Sequence, residues 1–190
     1  MVVISALWAA RVPAPDVYVA DRGDMVAVRG ASGKLAVMRV GGSDTFSARE
    51  WLAADADPRT PADASLRDGV ACDAIGCIAR LPDGTMIAMP LAAEAFEEDC
   101  RKAALVVSQR TAPPSCAATL IDRTVWPRTG ASALYRTGKG WETVVAIPQG
   151  YDRPWARAAP VRGDGETVAT PARPAPRDAT PREEDLAAED

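Results

Sequence analysis

The side chains that usually perform hydrolysis or hold zinc are missing from this sequence. The chain of 190 residues contains no histidine, so a serine or cysteine nucleophile has no imidazole to act as its general base. The sequence also lacks the G-x-S-x-G turn of serine hydrolases and the G-x-x-x-x-G-K-[S/T] phosphate loop. These absences argue against the common hydrolases and nucleotide-binding enzymes.

Cysteines and clustered aspartates are the next candidates for chemistry. Cys72 and Cys77 are separated by four residues in "CDAIGC", whereas zinc sites and thioredoxin-like redox sites use Cys-x-x-Cys. Asp16, Asp21 and Asp24 lie close together in sequence but lack the ligand spacing of a calcium loop. We therefore expect no metal, no other cofactor and no catalytic residue from these groups.

A basic stretch interleaved with aromatic residues is the strongest candidate for binding. Residues 101–157 hold 9 basic and 3 acidic side chains, whereas residues 1–100 hold 9 and 15 and residues 158–190 hold 4 and 8. Single-stranded DNA binders combine a basic groove with aromatic rings that stack on bases. The alternative is that the tryptophans are core residues and that the basic side chains pair with the acidic first half. The DNA-binding hypothesis names Arg110, Arg123, Arg128, Arg136, Lys139 and Trp141.

The first half of the chain predicts a small antiparallel meander. Short β-branched and apolar runs are separated by "DRGD" and "GASG", which is turn chemistry. Neither face of the second run is clearly polar, so we expect the sheet to be covered on both sides. A helix capped by Ser47 and a surface loop should follow. The predicted bounds are 17–20, 25–29 and 34–40 for the strands, 47–55 for the helix and 56–69 for the loop.

The second half alternates strand and helix signals. Two strands are predicted around the turn "PDG" within 77–91, and a helix follows with Phe96 and Cys100 one turn apart. This alternation predicts a layered α/β fold with a mostly antiparallel or mixed sheet. The predicted bounds are 92–103 for the helix and 104–108, 118–122, 130–138 and 141–147 for the remaining strands.

The two ends of the chain differ in composition from the predicted domain at 14–157. Residues 1–13 form an apolar stub, which is either a first core element or the end of a transmembrane helix. The apolar run from Met1 to Ala10 is about half of the ~20 residues that span a bilayer. Residues 158–190 are rich in proline and acidic side chains, so they predict a disordered tail.

Three stretches, in order, carry a resemblance to a known family. They are "VADRGDMVAVRGASGKLAVMRVGG" (19–42), "CIARLPDGTMIAMPLAAEAFEEDCRKAALVVSQ" (77–109) and "RTGASALYRTGKGWE" (128–142). Together they resemble the C-terminal metallo-β-lactamase-like domain of ComEC-type DNA-internalisation competence proteins, especially its alphaproteobacterial form. The resemblance implies a degenerate metallo-β-lactamase-like fold on the periplasmic face of the inner membrane. It also implies DNA and a membrane channel domain, in the same or a neighbouring polypeptide, as partners, with no small-molecule substrate.

The departures from that family concern its metal ligands. Active relatives carry a His-x-His-x-Asp-His cluster where this chain has residues 43–76, which hold no histidine. They carry a metal-bridging aspartate where Pro90 and Leu91 stand, and a ligand histidine where Gln109 and Arg110 stand. Zinc hydrolysis needs three or more ligands and an open position for water. The resemblance therefore implies a non-catalytic domain that guides DNA or stabilises the channel.

Two other classes of function stay open alternatives. One is a residual enzyme, either a metal-dependent nuclease or hydrolase with an unusual carboxylate site or a thiol protein. The other is a free-standing structural module with no role in DNA uptake.

The extracytoplasmic setting that the resemblance implies also bears on the cysteines. In that setting two disulfides are expected, Cys72 with Cys77 and Cys100 with Cys116. Unpaired, buried thiols are the alternative, because free cysteine is itself a common core residue.

Overall fold

The computed structural model describes residues 13–41, 45–148 and 150, in which the strands form two five-stranded sheets. Apart from Pro13, the expected apolar stub lies outside the described residues, and so does the expected disordered tail. The strands of the first sheet are β1 (Val17–Val19), β2 (Met25–Arg29), β3 (Leu35–Arg39), β9 (Ser132–Thr137) and β10 (Gly140–Val145). This sheet is antiparallel throughout, in the spatial order β10-β9-β1-β2-β3.

The second sheet is mixed and its strands lie in sequence order. The first three strands pair antiparallel, and the last two join in parallel. Its strands are β4 (Val70–Cys72), β5 (Gly76–Arg80), β6 (Met86–Pro90), β7 (Leu105–Val107) and β8 (Thr119–Ile121). Three short helices are α1 (Phe46–Ala54), α2 (Ala95–Lys102) and α3 (Trp126–Thr129), and a 3₁₀ turn covers Ala64–Arg67. The predicted mixed α/β class is confirmed.

Three groups of buried residues show that the elements stack in four layers. The central group contains alternate residues of both sheets, such as Val26 and Ile87, and therefore lies between them. A second group joins the other face of the first sheet to Leu52 of α1. A third joins the other face of the second sheet to Phe96 of α2. The order is helix, sheet, sheet, helix, and every residue of β6 is buried because both faces of its sheet are covered.

Three short elements were not predicted from the sequence. They are β4, the 3₁₀ turn within the expected loop and α3. The predicted cap at Ser47 is wrong, since α1 begins at Phe46 after Thr45, which makes no side-chain capping bond. Among the described residues, no helix combines the length and apolar character needed to cross a membrane.

Two half-buried ion pairs fasten α1 and the loop after it to the first sheet. Both Nη atoms of Arg29 in β2 donate to Asp55, the residue after α1, at 2.7 Å. The Arg59 guanidinium donates to Asp57 and to the Leu35 carbonyl of β3. Its hydrogen bonds lower the pKa of Asp57 despite the opposing effect of burial. The outer helix layer is therefore held by charge-assisted bonds as well as by packing.

Candidate functional site

The turn between β1 and β2 meets the carboxyl end of β7 and helix α3 at one end of the sandwich. Trp126 Nε1 donates to the Ser108 carbonyl oxygen at 3.3 Å. A Cβ added to Gly23 would lie 3.3 Å from that same oxygen and 3.1 Å from the Trp126 ring, and Gly23 has a φ of +63°. Glycine is needed there for both reasons. We call this end of the sandwich the Ser108 edge.

Two positions that the resemblance assigns to metal ligands lie together at the Ser108 edge. Ser108 is fully buried and its Oγ donates to the Pro90 carbonyl at 3.1 Å. Arg110 Nε donates to the Leu91 carbonyl at 2.8 Å. The ends of β6 and β7 are thus tied to each other directly by hydrogen bonds.

Asp122, at the end of β8, is the buried carboxylate of this edge. Its Oδ2 accepts from the Ala112 N–H at 2.8 Å, and its Oδ1 accepts from the N–H and Oγ1 of Thr124 at 2.8 and 2.6 Å. Burial would raise the pKa of Asp122, but the hydrogen bonds from Thr124, Ala112 and Val125 outweigh it and lower that pKa. The carboxylate therefore organises the loop 109–112 and the start of α3.

The residues at the Ser108 edge do not fit the zinc centre that active members of the resembled family carry. Asp122 is the buried carboxylate there, and both of its oxygens already accept hydrogen bonds. Zinc in proteins binds imidazole, thiolate or carboxylate donors, usually four in number. Across residues 13–41, 45–148 and 150, no group of three or more such side chains is placed to hold a metal ion.

Three of the predicted DNA-binding residues lie at the Ser108 edge. Arg110 follows β7, Arg123 follows β8 and Arg128 lies in α3, and all three are exposed. The Arg123 N–H donates to the Arg110 carbonyl at 3.3 Å, so these two arginines are neighbours. In the described part of the chain, none of the three forms an ion pair. The three arginines are therefore exposed cations without an ion-pair partner, at an edge where the β1–β2 turn also carries Asp21 and Asp24.

The other three lie at the opposite end of the sandwich. β9 begins at Ser132, beside Val19, and runs away from the Ser108 edge toward Arg136. The Arg136 guanidinium lies 5.3 Å from the Trp141 ring centroid and 3.8 Å from Asp83. Trp141 also packs against the core between the sheets, and Lys139 is exposed in the β9–β10 turn. The six predicted residues therefore form two separate groups.

Ion pairing between the acidic and basic halves of the chain is sparse among the described residues. Lys102 pairs with Glu98 inside α2, and Arg136 pairs with Asp83. The other ion pairs lie within the first 100 residues. The arginines at the Ser108 edge thus keep their charge available to a partner.

Both expected disulfides are present in the structure, and the alternative of unpaired thiols is excluded for these four cysteines. Cys72–Cys77 joins residues that face each other across β4 and β5. Cys100–Cys116 joins α2 to the segment that precedes β8.

Asp122 and Ser108 hold this edge together by hydrogen bonds, and neither was predicted as a site residue from the sequence. Asp122 had a usable signal, because an aspartate two residues before a threonine at the end of a strand is typical of a side-chain-stabilised turn. Ser108 had no such sequence signal, since its role depends on contact with Pro90 of another strand.

The Ser108 edge is an arginine-bearing surface held by hydrogen bonds. No family model, curated protein or solved structure matches this chain.

Proposed function

We propose that this domain is a non-catalytic module that contacts DNA through its Ser108 edge and assists DNA uptake across the inner membrane. The observation that carries the proposal is the grouping of Arg110, Arg123 and Arg128, all exposed and without a carboxylate partner in the described part of the chain. Arginines of this kind contact DNA phosphates and release counterions, which supplies most of the affinity of sequence-independent binding.

A degenerate metallo-β-lactamase-like fold is part of the same proposal. Its support is the order of layers, two sheets between outer helices, together with the meeting of Leu91 and Arg110 at one edge. These two residues stand where the resemblance expects metal ligands. In this chain, hydrogen bonds from Ser108 and to Asp122 hold that edge in place of a metal ion.

The setting that we propose is the periplasmic side of the inner membrane, beside a channel domain in the same or a neighbouring polypeptide. Its support is the pair of disulfides, because such bonds persist mainly in oxidising compartments. If the domain does not contact DNA, the second candidate function is to stabilise that channel domain.

Fluorescence anisotropy of a labelled single-stranded oligonucleotide, titrated with the full 190-residue chain at low salt, tests the DNA contact. The test variant changes Arg110, Arg123 and Arg128 to Ala. Each lost charge-assisted contact costs about 1.5–3 kcal/mol where it is well formed, so we expect the triple variant to lose at least about tenfold in affinity.

A matched variant controls for net charge. It changes Lys34, Arg67 and Arg80 to Ala, which removes the same number of positive charges from exposed positions away from the Ser108 edge. We expect this variant to bind DNA like the unchanged protein. Equal losses in both variants would contradict an interface at the Ser108 edge, and no binding by the unchanged chain would contradict DNA contact altogether.

A further inference from the structure

A groove of about 480 Å³ opens beside the Ser108 edge, between α2 and the loop after β7. Its apolar lining includes Phe96 and Pro113, and its polar lining consists of Gln109, Arg110, Thr111 and Arg123. A volume of several hundred Å³ is the size class of sites for small ligands. The groove is therefore in the size range of a single small ligand such as a nucleotide.

The two arginines in the groove are held close together by the backbone. β7 and β8 are parallel neighbours, with Val107 opposite Ile121. Arg110 and Arg123 follow these strand ends, and the Arg123 N–H donates to the Arg110 carbonyl. Arg110 is further fixed by the bond from its Nε to the Leu91 carbonyl. Its two Nη atoms form no hydrogen bond or ion pair with other described residues, so they are free for a ligand.

The charge of the groove suits a doubly charged anion. Among the described residues, none that lines the groove is a carboxylate, and the nearby Asp122 has both oxygens engaged in hydrogen bonds. A phosphate monoester carries a charge of about −1.5 to −2 at pH 7, whereas a phosphodiester inside a DNA strand carries one negative charge. Guanidinium groups bind such oxygens with paired hydrogen bonds, and Gln109 and Thr111 add polar side chains beside them.

We propose that this groove binds a phosphate monoester, either the phosphorylated end of a DNA strand or a free nucleotide. The strand-end form rests on the proposed function and sharpens it, because the domain would then prefer phosphorylated DNA ends to strand interiors. Arg110 and Arg123 hold the monoester, while Arg128 lies outside the groove and contacts DNA without reading its end.

Anisotropy with three probes tests the proposal on the full-length chain. The probes are a 3′-labelled oligonucleotide with a 5′-phosphate, the same oligonucleotide with a 5′-hydroxyl, and thymidine 5′-monophosphate as an unlabelled competitor against thymidine. We expect the 5′-phosphate to improve affinity by about tenfold, the gain expected from one additional charge-assisted contact. Thymidine 5′-monophosphate should compete for that gain, and thymidine should not.

Single substitutions separate the groove from the rest of the edge. Arg123→Ala should abolish the preference for the 5′-phosphate, Arg123→Lys should retain part of it, and Arg128→Ala should weaken both oligonucleotides equally. Thermal unfolding of each variant checks that the fold is intact.

The outcomes distinguish this inference from the proposed function. Isothermal titration calorimetry measures thymidine 5′-monophosphate directly, without a labelled probe. Equal affinity for the two oligonucleotides, with no binding of thymidine 5′-monophosphate, overturns the groove inference and leaves DNA contact standing. Binding of thymidine 5′-monophosphate without binding of either oligonucleotide supports the groove and overturns the DNA role. Binding of no probe overturns both.

Discussion

Asp122 and Asp99 are two buried carboxylates with opposite effects on stability. Asp122 accepts hydrogen bonds from Ala112 and Thr124, and its pKa is lowered because those bonds outweigh burial. Asp99 in α2 is raised in pKa by burial and by the neighbouring charges of Glu98 and Asp73. Hydrogen bonds compensate the charge of Asp122, whereas burial and like charges destabilise the charge of Asp99.

We predict that Asp122→Asn lowers the free energy of unfolding at pH 7 by about 1–3 kcal/mol. The amide nitrogen cannot accept a hydrogen bond and leaves a buried N–H unpaired.

Asp99→Asn should raise the free energy of unfolding at the same pH, since it removes an uncompensated charge. Urea unfolding checks both, with the exposed Asp21→Asn as a control expected to change stability by less than about 0.5 kcal/mol.

The pH dependence follows from the directions of the two shifts. An unfolded aspartate titrates near pH ~3.9. The folded pKa of Asp122 is below that value. Its contribution to the free energy of unfolding is therefore fully present above the unfolded pKa and is lost as pH falls through the folded pKa. Asp99 has a folded pKa above that value, so its penalty disappears below pH ~3.9. A gain from Asp99→Asn that persists unchanged at pH 3 would contradict this account.

At the scale of elements, the two disulfides restrain very different lengths of chain. Cys72–Cys77 closes a sequence separation of 5 within a hairpin that is already paired. Cys100–Cys116 closes a separation of 16 and fixes α2 to the segment before β8. A longer closed loop removes more entropy from the unfolded chain.

We expect loss of the second disulfide to cost more stability than loss of the first. Chain entropy predicts about 3 kcal/mol for Cys100→Ala with Cys116→Ala and about 2 kcal/mol for Cys72→Ala with Cys77→Ala. Urea unfolding of the two double variants measures the difference. A larger cost for the Cys72 and Cys77 variant would show that the edge hairpin, rather than α2, limits the stability of the domain.

At the scale of the whole molecule, three exposed arginines are grouped at one end of the sandwich. Arg110, Arg123 and Arg128 lie at one end of the sandwich without ion pairs to the other described residues. At the other end, Arg136 is engaged by Asp83 and Trp141. Lys34, Arg80 and Lys139 at that end are also exposed and form no ion pair with other described residues. Because arginine forms paired hydrogen bonds with phosphate oxygens, we expect a phosphate ligand to prefer the three neighbouring arginines of the Ser108 edge.

The salt dependence of DNA binding should report the number of phosphates contacted there. For single strands, log K falls with log salt by about 0.7 per phosphate neutralised. Changing the three arginines to Ala should therefore reduce the slope by about 2. Anisotropy titrations between low and physiological salt measure it, and an unchanged slope in the triple variant would mean that the contacts lie elsewhere on the chain.

Strands and helices were the features that local sequence predicted best. The runs at 25–29 and 34–40 became β2 and β3, and the run at 141–147 became β10, because alternation and turn residues act within a few positions. The three-residue strands β1, β7 and β8 were predicted as well, but β4 and α3 were not. β4 depends on pairing with β5, and α3 depends on bonds to Asp122, so neither carries a periodic signal of its own.

By itself, the sequence determined the α/β class, the lack of histidine for a zinc centre and the excess of basic residues in the second half. Tertiary structure decided which strands share a sheet, as when Val17 pairs with Leu134. It also decided that Arg123 meets Arg110 while Arg136 lies at the far end. Alternation within a strand shows which residues are buried, but the neighbour of a strand is chosen by packing between distant segments. For that reason, the grouping of charges into one edge could be read only from the folded chain.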